Sequence, residues 1–375
     1  MFNHEAGHSP ADLSTGSNTW QVKNYEKIAD TVYVLFLGGK RSKRVIRNGR
    51  TIIMCVGSGK FKSDLFKAPW IIYRLVKRKK IKVAFTYEQV MLWWYALFIK
   101  GRGKCRIVLV PLTLPSMMYK ITKRSLSIFI PIWFEKILRR ISSFFTGFVI
   151  TPRLFGEYKK WLAEDRVFKK KLLVLNKVVE EIPSPYFFQA MEEQKTKPVE
   201  RGDTFQILCV SRLRKEKLIA DVLKCMAELI KQDPGFTLHI IGEGEDEGYF
   251  LELVKELHID KHVLFHGYIP LGEIIPFYAM CDVYLSAFTG SALREVSLFG
   301  MPVVGYEMDW VKGTFTNGVN YLGVEPYNYR RLAQQIMNIK NDPTLAESLR
   351  INIHKLGVEN WSALNLNESY KEVLA

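Results

Sequence analysis

The sequence predicts an α/β chain made of two tandem doubly wound domains, each a parallel sheet with helices on both faces. Three observations predict this class. Continuous apolar runs of strand length end in glycine or polar exits, as strands buried on both faces do. Amphipathic stretches of helix length separate them, and such alternation implies parallel sheets. A stretch rich in proline and charge then divides the series in two. The 375 residues suit two domains of roughly 100–200 residues each.

Residues 1–30 are polar, carry no apolar signal-peptide core, and are expected to be a disordered tail. The first domain is placed at 31–185. TVYVLFLGG (31–39) and TIIMCVGSG (51–59) read as buried strands with tight exits. A helix over 68–80 leads into the strand IKVAFTY (81–87), and an apolar run of helix length covers 89–100. CRIVLVPLTLP (105–115), an amphipathic stretch over 120–143, FVITP (148–152), a helix around 154–164 and KLLVLN (171–176) complete it. Pro183, Pro185 and Pro198 then sit among charges, and the linker is placed at 186–203.

The second domain is placed at 204–358. Its strands are FQILCVS (205–211), FTLHIIG (236–242), HVLFHGYI (262–269), DVYLSAF (282–288) and PVVGYE (302–307). Helices are expected over 217–232, 247–258, 271–280 and 293–300, with a final amphipathic helix over 359–375. Ligands of such sheets sit outside the carboxyl ends of the strands, so the default site is a cleft between the two domains.

Charge is uneven. Residues 1–200 hold 37 Lys and Arg against 15 Asp and Glu, a net +22, while the remainder holds 17 against 23, a net −6. No helix-turn-helix, zinc-finger or RNA-binding sheet signature occurs, so nucleic acid is not an expected partner. Cations cluster around 41–50 and 74–82, and RSLSIFIPIWFEKILRRISSFF (124–145) interleaves them with Phe, Trp and Ile. That composition suits a helix lying on an anionic membrane surface, the alternative being a core helix with a basic outer face. No span is expected, because Glu135, Lys136, Arg139 and Arg140 interrupt the most apolar stretch. The five cysteines stand singly, without zinc spacing, and read as buried free thiols; no metal site is expected. GSGKF (57–61) is not a phosphate-binding Walker loop, since Phe61 follows the lysine.

Three loops of the second domain carry chemistry. In SRLRKEK (211–217), Arg212 and Lys217 follow a strand and precede a helix, where a cationic pair suits a diphosphate; a solvated basic turn is the alternative. In IIGEGE (240–245), Gly242 and Gly244 allow close approach of the backbone to a ligand. In FTGSALRE (288–295), Gly290 and Ser291 open a helix whose Ser291, Ala292 and Leu293 amides are free to meet phosphate. Glu295 lies in its first turn, suited to a ribose diol or to the helix dipole.

The order of these pieces resembles the nucleotide-binding domain of retaining GT-B glycosyltransferases of the family-4 (group 1) type. ILCVSRLRKEKL, LHIIGEGE, VLFHGYIPLGEIIPFYAMCDVYLSAF, REVSLFGMPVVGYE and NGVNYLGVEP follow that family's motifs in sequence from Phe205 to Val324. The resemblance implies two Rossmann-like domains and a retaining, metal-independent sugar transfer from a UDP- or GDP-sugar, a co-substrate rather than a cofactor. It implies that Arg212 and Lys217 bind the donor diphosphate, Glu295 holds the ribose, and backbone at Tyr268 and Ile269 meets the base. Thr289, Gly290, Ser291 and Ala292 would face the phosphates or the sugar, and Gly38 and Gly39 would leave room for the donor. The first glutamate of the family's usual pair falls on Ala287, and no histidine follows the strand at 105–110. Tyr87 and Glu88 are acceptor-side candidates by position. With the basic first half, these features suggest a peripheral enzyme at the cytoplasmic membrane face acting on a lipid-linked acceptor in polysaccharide biosynthesis. A non-catalytic binding subunit and a nucleotide-sugar epimerase are the competing expectations.

Overall fold

The computed structural model describes residues 2–3, 21–37, 44–56, 70, 73–86, 105–109, 148–152, 163–164, 169–170, 172–198, 202–288, 290–308 and 311–375. Gly38, Gly39, Tyr87, Glu88, Thr289 and the basic amphipathic stretch 124–145 lie outside these residues. The chain forms two compact units: one of Met1–Thr15, Val22–Val179 and Asn365–Ala375, the other of Gly16–Gln21 and Glu180–Leu364.

In the first unit the described strands are β1 (Phe2–Asn3), β2 (Val32–Leu37), β3 (Arg44–Asn48), β4 (Thr51–Val56), β5 (Val83–Thr86), β6 (Arg106–Leu109), β7 (Phe148–Pro152) and β8 (Leu172–Leu175). They form two sheets, in the orders β1-β2-β4-β3 and β5-β6-β7-β8. Two expectations are corrected here. The basic loop after the first strand is in part a strand, since β3 pairs antiparallel with β4. Gly49, at φ +60°, takes the first central position of that hairpin turn, where a type II′ turn needs glycine. Nor are residues 1–30 wholly a tail. Phe2–Asn3 pairs with β2, and Gln21–Lys27 is a 3-10 helix that buries Asn24 and Tyr25.

The second unit is a six-stranded parallel sheet of β9 (Phe205–Val210), β10 (Phe236–Ile241), β11 (Val263–Phe265), β12 (Val283–Ser286), β13 (Val303–Tyr306) and β14 (Leu322–Val324). The order is β11-β10-β9-β12-β13-β14. All four residues of β12 and of β13 are buried, which is why these strands read as unbroken apolar runs rather than alternating ones. From β9 the chain winds outward first through β10 and then, in the other direction, through β12. The turns after β9 and β12 therefore diverge and leave a crevice at their carboxyl ends.

From residue 185 onward the described helices are α1 (Pro185–Gln194), α2 (Ile219–Gln232), α3 (Glu247–Glu256), α4 (Leu271–Met280), α5 (Ala292–Phe299), the single turn α6 (Val311–Thr314), α7 (Tyr329–Asn341), α8 (Pro343–Trp361) and α9 (Leu366–Leu374). The stretch expected as linker thus holds α1. Pro185 begins it, where a missing N–H costs nothing. Phe187 is fully buried, its ring 6.4 Å from that of Tyr278 on α4. The single terminal helix expected over 359–375 is two. α8 ends at Trp361, Asn365 turns the chain at φ +56°, and α9 belongs to the first unit. There Tyr370 stacks edge-on against Phe85, and its hydroxyl accepts the Val179 amide at 3.1 Å. No helix among the described residues is long and apolar enough to cross a membrane.

Candidate active site

The site is built on the carboxyl edge of the second unit's sheet. Leaving β9, the Ser211 amide donates to the Ile241 carbonyl at 3.0 Å and the Leu213 amide to the Glu243 carbonyl at 3.0 Å. The Asp246 amide returns a bond to the Leu213 carbonyl at 3.1 Å. The turns after β9 and β10 are therefore laced together. This changes the reason for the glycines of IIGEGE. A Cβ on Gly242 would stand 2.0 Å from the Ser211 carbonyl oxygen, and one on Gly244 would stand 2.2 Å from that of Leu213. What comes close to these glycines is the neighbouring turn.

Sorting the cations of SRLRKEK follows from the same lacing. Arg214 pairs with Glu245 and with Glu216, the latter at 3.1 Å, and the Lys215 amide donates to Asp246 at 2.9 Å. Lys217 instead points its ammonium at the ring of Phe288, 4.2 Å from the centroid. Phe288 follows β12, so this contact joins the two diverging turns across the crevice. Burial, and then the nearby Arg212 charge, lower the Lys217 pKa from the usual lysine value. Among the described residues neither Arg212 nor Lys217 forms an ion pair. Two neighbouring cations that form no ion pair, with Glu216 acting on Lys217 only at longer range, make a place for an anion.

The opposite wall is the start of α5. Gly290 is exposed, and a Cβ there would meet nothing within 4 Å. The Leu293 amide bonds the Gly290 carbonyl at 3.3 Å and the Arg294 amide bonds that of Ser291 at 2.9 Å. This corrects the expectation of a free Leu293 amide; helix geometry leaves only the Ser291 and Ala292 amides without a carbonyl behind them.

Glu295, one turn in, accepts a 2.6 Å hydrogen bond from the Tyr278 hydroxyl. Burial raises its pKa, while the Tyr278 bond and the charge of Arg294 pull it back. Arg294 is itself engaged by Glu181 at 2.7 Å. Tyr284 of β12, in electrostatic reach of Glu295, donates to the Val210 carbonyl at 3.1 Å. This sets the carboxylate beside the exit of β9.

The turn after β11 completes the edge. Gly267, at φ +64°, accepts the Gly242 amide at 2.8 Å, and the Tyr268 amide donates to Glu243 at 3.2 Å. Tyr268 is 58% exposed and Ile269 is half-buried. Below this turn the His239 Nε2 donates to Gln206 Oε1 at 2.7 Å, because the Gln206 amide nitrogen is occupied with Thr204. With its Nε2 donating, the neutral His239 accepts at Nδ1 from His266 Nε2 at 2.9 Å. Tyr278, Glu243 and this histidine pair were not singled out as site residues from sequence. The signal for Tyr278 and the histidines is a polar side chain within an apolar run, whereas Glu243 stands between two glycines in an acidic turn.

Residues 190–356 match the family model "Glycosyl transferases group 1". That stretch is less than half of the chain and lies wholly within the second unit. The chain is 25% identical over 173 residues to the alpha-monoglucosyldiacylglycerol synthase of Acholeplasma laidlawii, covering 45% of this chain and 43% of that protein. It is 25% identical over 176 residues to the poly(glycerol-phosphate) alpha-glucosyltransferase of Bacillus subtilis, covering 44% and 26%. It is 23% identical over 171 residues to a GDP-mannose-dependent alpha-(1-6)-phosphatidylinositol monomannoside mannosyltransferase of Mycolicibacterium smegmatis, covering 43% and 45%. The chain thus spans less than half the length of each of these relatives. Anabaena HepE, solved with UDP-glucose, superposes on 100% of this chain and 98% of its own with a TM-score of 0.70 at 15% identity. The sucrose-phosphate synthase of Thermosynechococcus elongatus does so with 0.71, over 99% and 94%, at 15% identity. These likenesses show the fold, GT-B, with two Rossmann-like domains in tandem.

Proposed function

We propose that the chain is a retaining, metal-independent glycosyltransferase that moves a sugar from a UDP- or GDP-sugar to a lipid-linked acceptor in polysaccharide or glycolipid biosynthesis, bound peripherally at the cytoplasmic membrane face. The observation that carries the donor half is the meeting of Arg212, Lys217 and the first amides of α5 at one sheet edge. As the bond between the anomeric carbon and the diphosphate breaks, negative charge grows on the diphosphate, and preorganised cations and amides stabilise it there. Arg212 and Lys217 supply the cations. Ser291 and Ala292 supply the amides, with Thr289 and Gly290 beside them. The oxygen of Glu295 not taken by Tyr278 receives a ribose hydroxyl, and the backbone at Tyr268 and Ile269 meets the base. In the first unit we assign donor clearance to Gly38 and Gly39 and the acceptor contact to Tyr87 and Glu88.

The acceptor half is supported by the relatives' names, which print a diacylglycerol, a poly(glycerol-phosphate) and a phosphatidylinositol. Each also prints an alpha linkage, the product of retention from an α-linked nucleotide donor. UDP-glucose or GDP-mannose at 100 times its dissociation constant should add about 2.7 kcal/mol of stability, seen as a thermal shift. Arg212→Ala and Lys217→Ala should each lower kcat/KM roughly 10²–10³-fold. Unchanged turnover in Arg212→Ala refutes the assignment.

One observation favours a second reading, a binding subunit without transfer. Ala287, where the family's first glutamate falls, is buried in the core and carries no carboxylate. Donor binding with no transfer to any lipid acceptor selects this reading. The epimerase alternative is selected by turnover of donor alone.

A further inference from the structure

The first unit contains a cavity of about 570 Å³ whose lining belongs to neither the donor nor the acceptor assignment. It opens at the amino ends of β2 and β5, between Val32 and Val83, whereas ligands of doubly wound sheets sit at carboxyl ends. Its walls include Tyr25, Val76 and Phe85, and its size falls within the roughly 300–1,000 Å³ of small-molecule pockets.

Three lysines line it: Lys79, Lys80 and Lys82. Residues 73–79 form a helix, and Lys80, at φ +50°, ends it with a left-handed turn that carries the chain back towards β5. A helix C-terminus carries about half a negative charge, which one nearby cation balances. Asp30, also in the lining, balances a second. The cavity mouth is left positive, and no described carboxylate forms an ion pair with any of the three. All three lysines are exposed, while Tyr25 and Val76 behind them are buried. An apolar hole behind a cationic rim matches a molecule with a hydrocarbon tail and an anionic head.

We infer that this cavity takes the acyl chain and phosphate of one anionic membrane phospholipid, docking the first unit on the membrane surface. The lysines meet the phosphate and the apolar walls receive the chain. The inference uses none of the residues assigned to the donor or the acceptor.

The test uses the full-length protein and dihexanoylphosphatidylglycerol kept monomeric, with binding followed by calorimetry. The phosphatidylglycerol should bind. Dihexanoylphosphatidylcholine should bind at least about tenfold more weakly, and glycerol phosphate, a head without a chain, should not compete. Lys79→Glu combined with Lys82→Glu should weaken binding at least about 25-fold, roughly fivefold per lysine as for cations at anionic lipid. Ala84→Phe, which fills the cavity from β5, should abolish it. The UDP-glucose thermal shift should be unchanged in both variants, and its absence from the wild type would count against the donor site alone. Equal binding of phosphatidylcholine, competition by glycerol phosphate, or retained binding in Ala84→Phe overturns the inference. If Ala84→Phe melts at ambient temperature, the lysine double variant, made entirely on the surface, decides.

Discussion

The carboxylate of Glu295 has two oxygens, and the Tyr278 hydroxyl takes one of them at 2.6 Å. A half-buried carboxylate held on one side is aimed on the other, which is what recognition of a diol requires. The same economy of bonds governs the histidine pair. His239 is 5% exposed, with both ring nitrogens engaged, and burial with the neighbouring His266 pushes its pKa down to about 4. The unfolded chain holds this proton from about pH 6.5 downward, but the folded one does not until near pH 4. Stability is therefore lost as pH falls through that window, by up to about 3 kcal/mol from this group alone. Urea unfolding at pH 7 and pH 4.5 should show the wild type losing more stability than His239→Gln. Equal losses would remove His239 as the cause.

Among the elements, the turns that follow β9, β10, β11 and β12 make the site, and their glycines have opposite duties. Gly242 has φ +136° and the Ser211 carbonyl against it, so an added Cβ meets backbone that has no room to retreat. Gly290 faces open space at an ordinary φ. Gly242→Ala should cost at least about 2 kcal/mol in chemical denaturation, whereas Gly290→Ala should stay within about 0.5 kcal/mol of the wild type. If Gly290→Ala nevertheless impairs UDP-glucose binding, the open space at the start of α5 is donor space. An equal stability cost at the two positions would contradict the packing described here.

For the whole molecule, the last helix matters more than its length suggests. α9 returns the end of the chain to the first unit, where Tyr370 and Val373 are fully buried and Arg106 donates to the Val373 carbonyl at 2.8 Å. Ending the chain at Leu364 strips those side chains from the first unit. Losing one large core side chain costs about 3–5 kcal/mol, so that unit should open to proteolysis while the second melts as before. Calorimetry of the truncated chain checks this; an unchanged first transition would show that α9 does not hold the first unit together.

How much could be read in advance follows from the kind of signal. FQILCV, FTLHII and VYLS are buried on both sides of a parallel sheet, so their apolar runs declare themselves, and the motif order from Phe205 to Val324 marks the domain without coordinates. RVIRN is less legible. It is a short hairpin strand heavy in arginine, whose clearest sign was the Asn48-Gly49 step after it. α1 was hidden by its flanking prolines, although Pro185 sits at the first helical turn where proline is welcome. Sequence by itself determined the strand–helix order, the likeness of residues 190–356 to glycosyl transferases group 1 and the cluster of cations after β9, because each is written in local periodicity and spacing. Only the tertiary structure decided that Arg214 is spent on Glu245 while Lys217 turns to Phe288, that Glu295 leans on Tyr278, and that Gly242 makes room for a backbone. Those outcomes depend on partners far apart in the chain, and folding alone brings them within a few ångströms.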